Sequence, residues 1–157
     1  MDVVLEANQA ATAFCVEGNT LADFHKTASL CLIEGLKSLK LLKGDTNKIF
    51  EKNEHKKYYP HGTGHWLGLD VHDPCPSWDD GKSVTLKAGM VLTVEPGLYF
   101  MEKDTSVPKE YRGLGVRIED NIVVRPKGKA PEVLTSDLPK SWKDIESVKK
   151  TAKKSAK

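Results

Sequence analysis

The sequence has no apolar run near the roughly 20 residues that a bilayer-spanning helix requires, and its N-terminus lacks the basic-then-apolar pattern of a secretion signal. No membrane association is expected. Cysteine is scarce. Cys15, Cys31 and Cys75 are spaced too widely and unevenly for a disulfide framework or a thiolate zinc site, so a reducing compartment, most simply the cytoplasm, is the expectation. A dominant charge is also missing: 24 basic and 22 acidic residues leave a formal +2 at pH 7, which gives no global attraction to nucleic acid. There is no internal repeat. What remains is 157 residues, 39% apolar and 29% charged, the make-up of one globular domain with a sizeable core. The near-neutrality hides an asymmetry. Residues 140–157 hold seven lysines against Asp144 and Glu146, so this end carries +5 and the rest of the chain −3. It lacks the aromatic interleaving of a base-stacking surface and reads as a solvated terminus.

The first segment, Asp2 to Ala13, reads as a helix. Val3, Val4, Ala7, Ala10 and Ala11 recur at three- and four-residue spacing, with Glu6, Asn8 and Gln9 on the other side. Gly18 and Asn19 break it, Thr20 offers an N-cap, and Asp23 favours the positive helix end. A second amphipathic helix runs from Leu21 to about Lys40, and the two are expected to pack as a hairpin. Residues 43–57 are polar and read as a connection. Beyond Pro60 the apolar stretches shorten. Residues 90–95 alternate, with Val91, Thr93 and Glu95 on one face, and residues 116–124 alternate too; both read as strands, with His65 to Val71 as a third candidate. Helices first and closely spaced strands afterwards predict an α+β fold with an antiparallel sheet. The expected organisation is one unit over residues 1–146 and a basic, disordered tail over 147–157.

Three of the five histidines, His61, His65 and His72, fall in one line, His61-Gly-Thr-Gly-His65-Trp-Leu-Gly-Leu-Asp-Val-His72-Asp73. The four-residue spacing of His61 and His65 suits helical metal ligands, but Gly62 and Gly64 argue for extended backbone that something approaches closely. His25, on the second helix, and His55, in a lysine-rich run, read as structural. Glu95 ends the apolar run Met90-Val-Leu-Thr-Val94, and a carboxylate there is costly unless paired, hydrogen-bonded or bound to a cation. Glu119 repeats the situation two residues after Arg117, and an Arg117–Glu119 ion pair is a structural alternative. One imidazole and two carboxylates on adjacent strands can hold a divalent metal, and nitrogen and oxygen donors favour manganese, cobalt or zinc over a thiolate-type structural zinc.

Three blocks, His61 to Asp73, Gly89-Met-Val-Leu-Thr-Val-Glu-Pro-Gly-Leu-Tyr99 and Gly115-Val-Arg-Ile-Glu-Asp-Asn-Ile-Val-Val124, resemble the pita-bread metallopeptidases in order and spacing. Aminopeptidase P, the Xaa-Pro aminopeptidases, is the nearer branch, with prolidase next; Trp66 and Tyr111 to Gly115 favour the former. The resemblance implies one half of a pita-bread fold, a helix hairpin packed on a curved antiparallel sheet. It also implies that His65 and Glu95 are ligands of one metal and that Glu119 bridges two. His72 would bond the scissile carbonyl, His61 would orient substrate, and Arg117 would steady the carboxylates. In that family a metal-bound hydroxide attacks the peptide bond before proline and releases the first residue. The substrate implied is a peptide with proline in second position, and the cofactor is two divalent ions, manganese foremost.

The chain departs from the family in lacking its two aspartate ligands and a proton-donating histidine, all of which lie upstream of the matched region. It holds three of the five metal ligands, so zero or one ion is expected on this chain alone. The leading expectation is the C-terminal catalytic portion of an Xaa-Pro aminopeptidase, inactive in isolation and completed by the missing half; Met1-Asp2 starting directly on a helix supports it. The alternative is a non-catalytic binding or regulatory module, paired as a homodimer with a second copy of the chain. A non-enzymatic, chaperone-like relative ranks last, because such relatives lose ligands that here are intact.

Overall fold

The computed structural model describes residues 1–155, with side chains to Thr151. Two antiparallel helices, α1 (Asp2–Phe14) and α2 (Leu21–Ser38), form the expected hairpin. Thr20 caps α2 by accepting the Asp23 N–H and donating to its carboxylate. The helices approach closely at Gly35, where a Cβ would lie 2.0 Å from Val3 Cγ1. The turn between them is tied to residues 84–86 by three backbone hydrogen bonds, including Leu86 N–H to Asn19 O at 2.7 Å, which hold the hairpin against the sheet.

The connection over 43–57 is structured. Asp45 caps a short helix, α3 (Thr46–Glu51), and Glu54–Lys57 adds a 3-10 turn. The polar composition concealed them because only Ile49 and His55 are buried. A small hairpin follows, β1 (Trp78–Asp79) with β2 (Lys82–Ser83). The expected strand from His65 to Val71 is formed only at its start. Residues 63–67 run antiparallel to the next strand, whereas Leu69 and Val71 are exposed and no strand among the described residues pairs with them.

The long strand pair is split. β3 (Val91–Val94) and β4 (Gly97–Tyr99) face β6 (Asp120–Val123) and β5 (Gly115–Arg117), and β7 (Glu132–Val133) adds to β6. Residues 116–124, read as one strand, are therefore two. The cause is Pro96, which has no N–H to give the ladder. Register is unchanged across the break: Val94 faces Asp120 and Gly97 faces Arg117, so Glu95 stands opposite Glu119.

Two clusters fill the space between hairpin and sheet. One joins Ala11, Phe24 and Ala28 to Leu92, Val94 and Ile122; the other joins Val4, Leu32 and Leu36 to Tyr59, Leu98 and Ile118. Asn8 lies between them and is buried, which corrects its placement on the polar side of α1. The lysine-rich end, expected to be disordered from 147, forms a helix, α4 (Trp142–Ser155), exposed over its side chains to Thr151, and residues 156–157 lie outside the described residues. Helix formation there follows from Ser141, whose hydroxyl accepts the Asp144 N–H as an N-cap.

Overpacking the helix crossing gives a direct check. Gly35→Ala should cost about 1–3 kcal/mol, read as a lower melting temperature, and adding Val3→Ala should recover part of the loss.

Candidate metal centre

The site is built where the strand pair breaks. Residues 63–67 lie along β3 through Glu95 N–H to Thr63 O (2.6 Å), Thr93 N–H to His65 O (2.9 Å) and Leu67 N–H to Val91 O (3.1 Å). This approach requires glycine at 64, where a Cβ would sit 1.9 Å from Thr93 O. His65 is thereby placed beside Glu95, with Nε2 3.3 Å from Oε1. Glu119 reaches the same point from the facing strand. One ligand atom from each of His65, Glu95 and Glu119 lies within 4.8 Å of the others.

The donor chemistry of this cluster fits a cation. His65 Nδ1 is 2.9 Å from Trp66 O, and a carbonyl only accepts, so the neutral ring carries its proton on Nδ1 and turns the Nε2 lone pair toward the carboxylates. A lone pair and two carboxylates at one point repel one another, and like charges directly across a strand pair are destabilising. Thr93 organises two of the groups: its hydroxyl accepts the His65 N–H at 3.0 Å and donates to Glu95 Oε1 at 3.0 Å. Arg117 Nε lies 3.9 Å from Glu95 Oε2, so its ion pair is with Glu95 rather than with Glu119.

The remaining expected residues sit around this point. His72 packs edge-on to His65 with ring centroids 4.2 Å apart. His61 lies one step away, on Tyr99: with Nδ1–H donated to Gly62 O (2.7 Å), its Nε2 accepts the Tyr99 O–H at 2.8 Å. The structure thus gathers His65, Glu95, Glu119, Arg117 and His72 at the strand break, with His61 beside them.

His25, read from the sequence as structural, sits behind the site. Its Nδ1 is 2.9 Å from Thr63 Oγ1, which also bonds Tyr59 Oη at 2.7 Å, directly behind the Thr63 carbonyl that holds Glu95. With His61, Lys56 and Trp78 it lines a cleft of about 490 Å³ between α2, residues 60–64 and the β1–β2 hairpin. The available signal was its place between Phe24 and Ala28 on the helix face turned inward. Burial pushes the His25 imidazole from the ordinary 6.5 down to about 4. Burial against Phe50, 5.4 Å between centroids, also lowers His55.

A nitrogen-and-oxygen donor set where two antiparallel strand pairs meet, backed by a helix hairpin, differs in chemistry from a thiolate zinc module. The family model of metallopeptidase family M24 matches residues 1–126, and the chain belongs to that family, whose pita-bread fold it shares in part. The chain is similar to the Xaa-Pro aminopeptidase of Haemophilus influenzae, at 42% identity over 147 residues, 94% of this chain and 33% of that protein. It superposes on the structure of Pseudomonas aeruginosa aminopeptidase PepP with a TM-score of 0.92 at 40% identity, covering 98% of this chain and 34% of that one. Zinc-substituted Escherichia coli aminopeptidase P in complex with product gives 0.84 at 40% identity, covering 93% and 32%. The chain therefore spans about a third of the length of these relatives.

Half-buried His25 and buried His55 set a pH dependence. Their folded pKa values are depressed, so the unfolded chain binds protons first, and the stability they contribute is present above 6.5 and lost as pH falls below it, for His25 down to about 4. Thermal melts between pH 7.5 and 5 should show falling stability on acidification, and His25→Gln should flatten the slope.

Proposed function

We propose that this chain is the metal-binding catalytic portion of an Xaa-Pro aminopeptidase, acting on peptides with proline in second position. The observation that carries the reading is the convergence of His65, Glu95 and Glu119 within 4.8 Å. These three residues would hold a divalent ion, manganese foremost and cobalt or zinc as alternatives. When bound, such an ion supplies Lewis-acid activation of water for attack on the peptide bond. The chain's own residues bind and orient substrate around it. His72, exposed beside His65, would donate to the scissile carbonyl. His61, held in one tautomer by Gly62 and Tyr99, would orient the residue being cleaved. Arg117, 3.9 Å from Glu95 Oε2, would keep that carboxylate aimed.

The reading also assigns a dependence on a partner. Three ligands hold at most one ion, and the family's two aspartates would come from its other half. Without them the isolated chain is inactive. The alternative is a non-catalytic module that pairs with a second copy, favoured by the exposure of Leu114 and Met101 near the open edge of β5.

Two measurements test this. The isolated chain assayed with an Xaa-Pro peptide and manganese should show no turnover, and addition of the corresponding preceding segment of the Haemophilus influenzae relative should restore it; robust turnover by the chain alone would overturn the partner requirement. Manganese titrated calorimetrically should bind with no more than one ion per chain, and Glu95→Gln should weaken binding about tenfold or more.

A further inference from the structure

Asn8 is 2% exposed, and its side-chain amide reaches across to both ligand-bearing strands. Nδ2 lies 3.0 Å from Val94 O and 3.4 Å from Ile118 O. These carbonyls belong to the residues immediately before Glu95 and Glu119.

The ladder explains why a side chain is needed there. Ile118 N–H donates to Pro96 O at 3.3 Å and Val124 N–H to Met90 O at 2.9 Å, so Pro96 and Ile118 form a pair of the hydrogen-bonded kind. Such a pair exchanges two bonds, but Pro96 has no N–H, and Ile118 O is left without its strand donor. A primary amide has two N–H donors, enough for both carbonyls at once. A buried carbonyl without a donor would otherwise carry a desolvation cost.

We propose that Asn8 is a positioning residue for the metal centre. It clamps the two backbones one residue ahead of each carboxylate and so sets the spacing of Glu95 against Glu119, without touching any ligand atom. The inference rests on the metal reading above and extends it to α1, which contributes no ligand.

The test is calorimetric titration of the full chain with manganese alone. Asn8→Ala should lower affinity about tenfold, whereas Val4→Ala, buried on the same helix but away from the strand carbonyls, should stay within about twofold of wild type. Pro96→Ala restores a strand N–H opposite Ile118, so Asn8→Ala added to Pro96→Ala should cost clearly less than it does alone. Should Asn8→Ala alone not fold, the double variant should fold; failure of both would overturn the proposal. Wild-type affinity in Asn8→Ala, or an equal loss in Val4→Ala, would also overturn it. If the wild-type chain binds no manganese, the metal reading falls and the clamp is judged on the metal-free protein. Amide exchange at Glu95 and Ile118 should then quicken in Asn8→Ala and not in Val4→Ala, and unchanged protection in Asn8→Ala would refute the clamp.

Discussion

Two carboxylates stand directly opposite each other on paired strands, and an imidazole lone pair points at the same place. Left to themselves these groups repel, and a sheet would ordinarily avoid the arrangement. The surrounding structure is organised around holding it. Gly64 lets the histidine-bearing segment lie flush on β3, Thr93 ties the backbone of His65 to the side chain of Glu95, and Arg117 places a positive charge on the far oxygen of that carboxylate. Parts that are mutually unfavourable and yet fixed from several directions are the basis for the proposal that a cation binds between them.

The same break that displays the carboxylates divides the core. Pro96 interrupts the ladder, and each side of the break packs its own cluster against the helix hairpin. The C-terminal segment adds a second restraint next to Glu119. Asp120 is buried, paired with Lys140 Nζ at 3.0 Å, and bonded by the Thr135 hydroxyl. Removing one member of such a pair leaves an uncompensated buried charge. Residues 133–140 are therefore strapped across the edge of β6, where slack would move Glu119.

Much of this was legible before any coordinates. Thr20 and Asp23 marked the start of α2, and a glutamate closing the run Met90 to Val94 flagged a carboxylate needing a partner. Residue order along the strand placed Thr93 on the Glu95 face, where it lies. The misses have physical causes. Asn8 was assigned to the polar face because an amide side chain ordinarily seeks water; its burial depends on carbonyls 86 and 110 residues away. Residues 116–124 alternate throughout, and only the partner strand's Pro96 splits them. The helix over 46–51 is a single cap and little more than one turn, too short for a periodic pattern. His25 was read as structural, and only its partner, Thr63, is a tertiary contact that no local spacing encodes.

The central claim is that the opposed carboxylates and His65 are held apart for one cation. Anomalous diffraction from crystals of the chain soaked in manganese tests it most directly. A single strong peak within bonding distance of His65 Nε2 and of carboxylate oxygens from both Glu95 and Glu119 is the predicted result. A peak elsewhere on the chain, or no peak at this point at saturating manganese, would contradict the account.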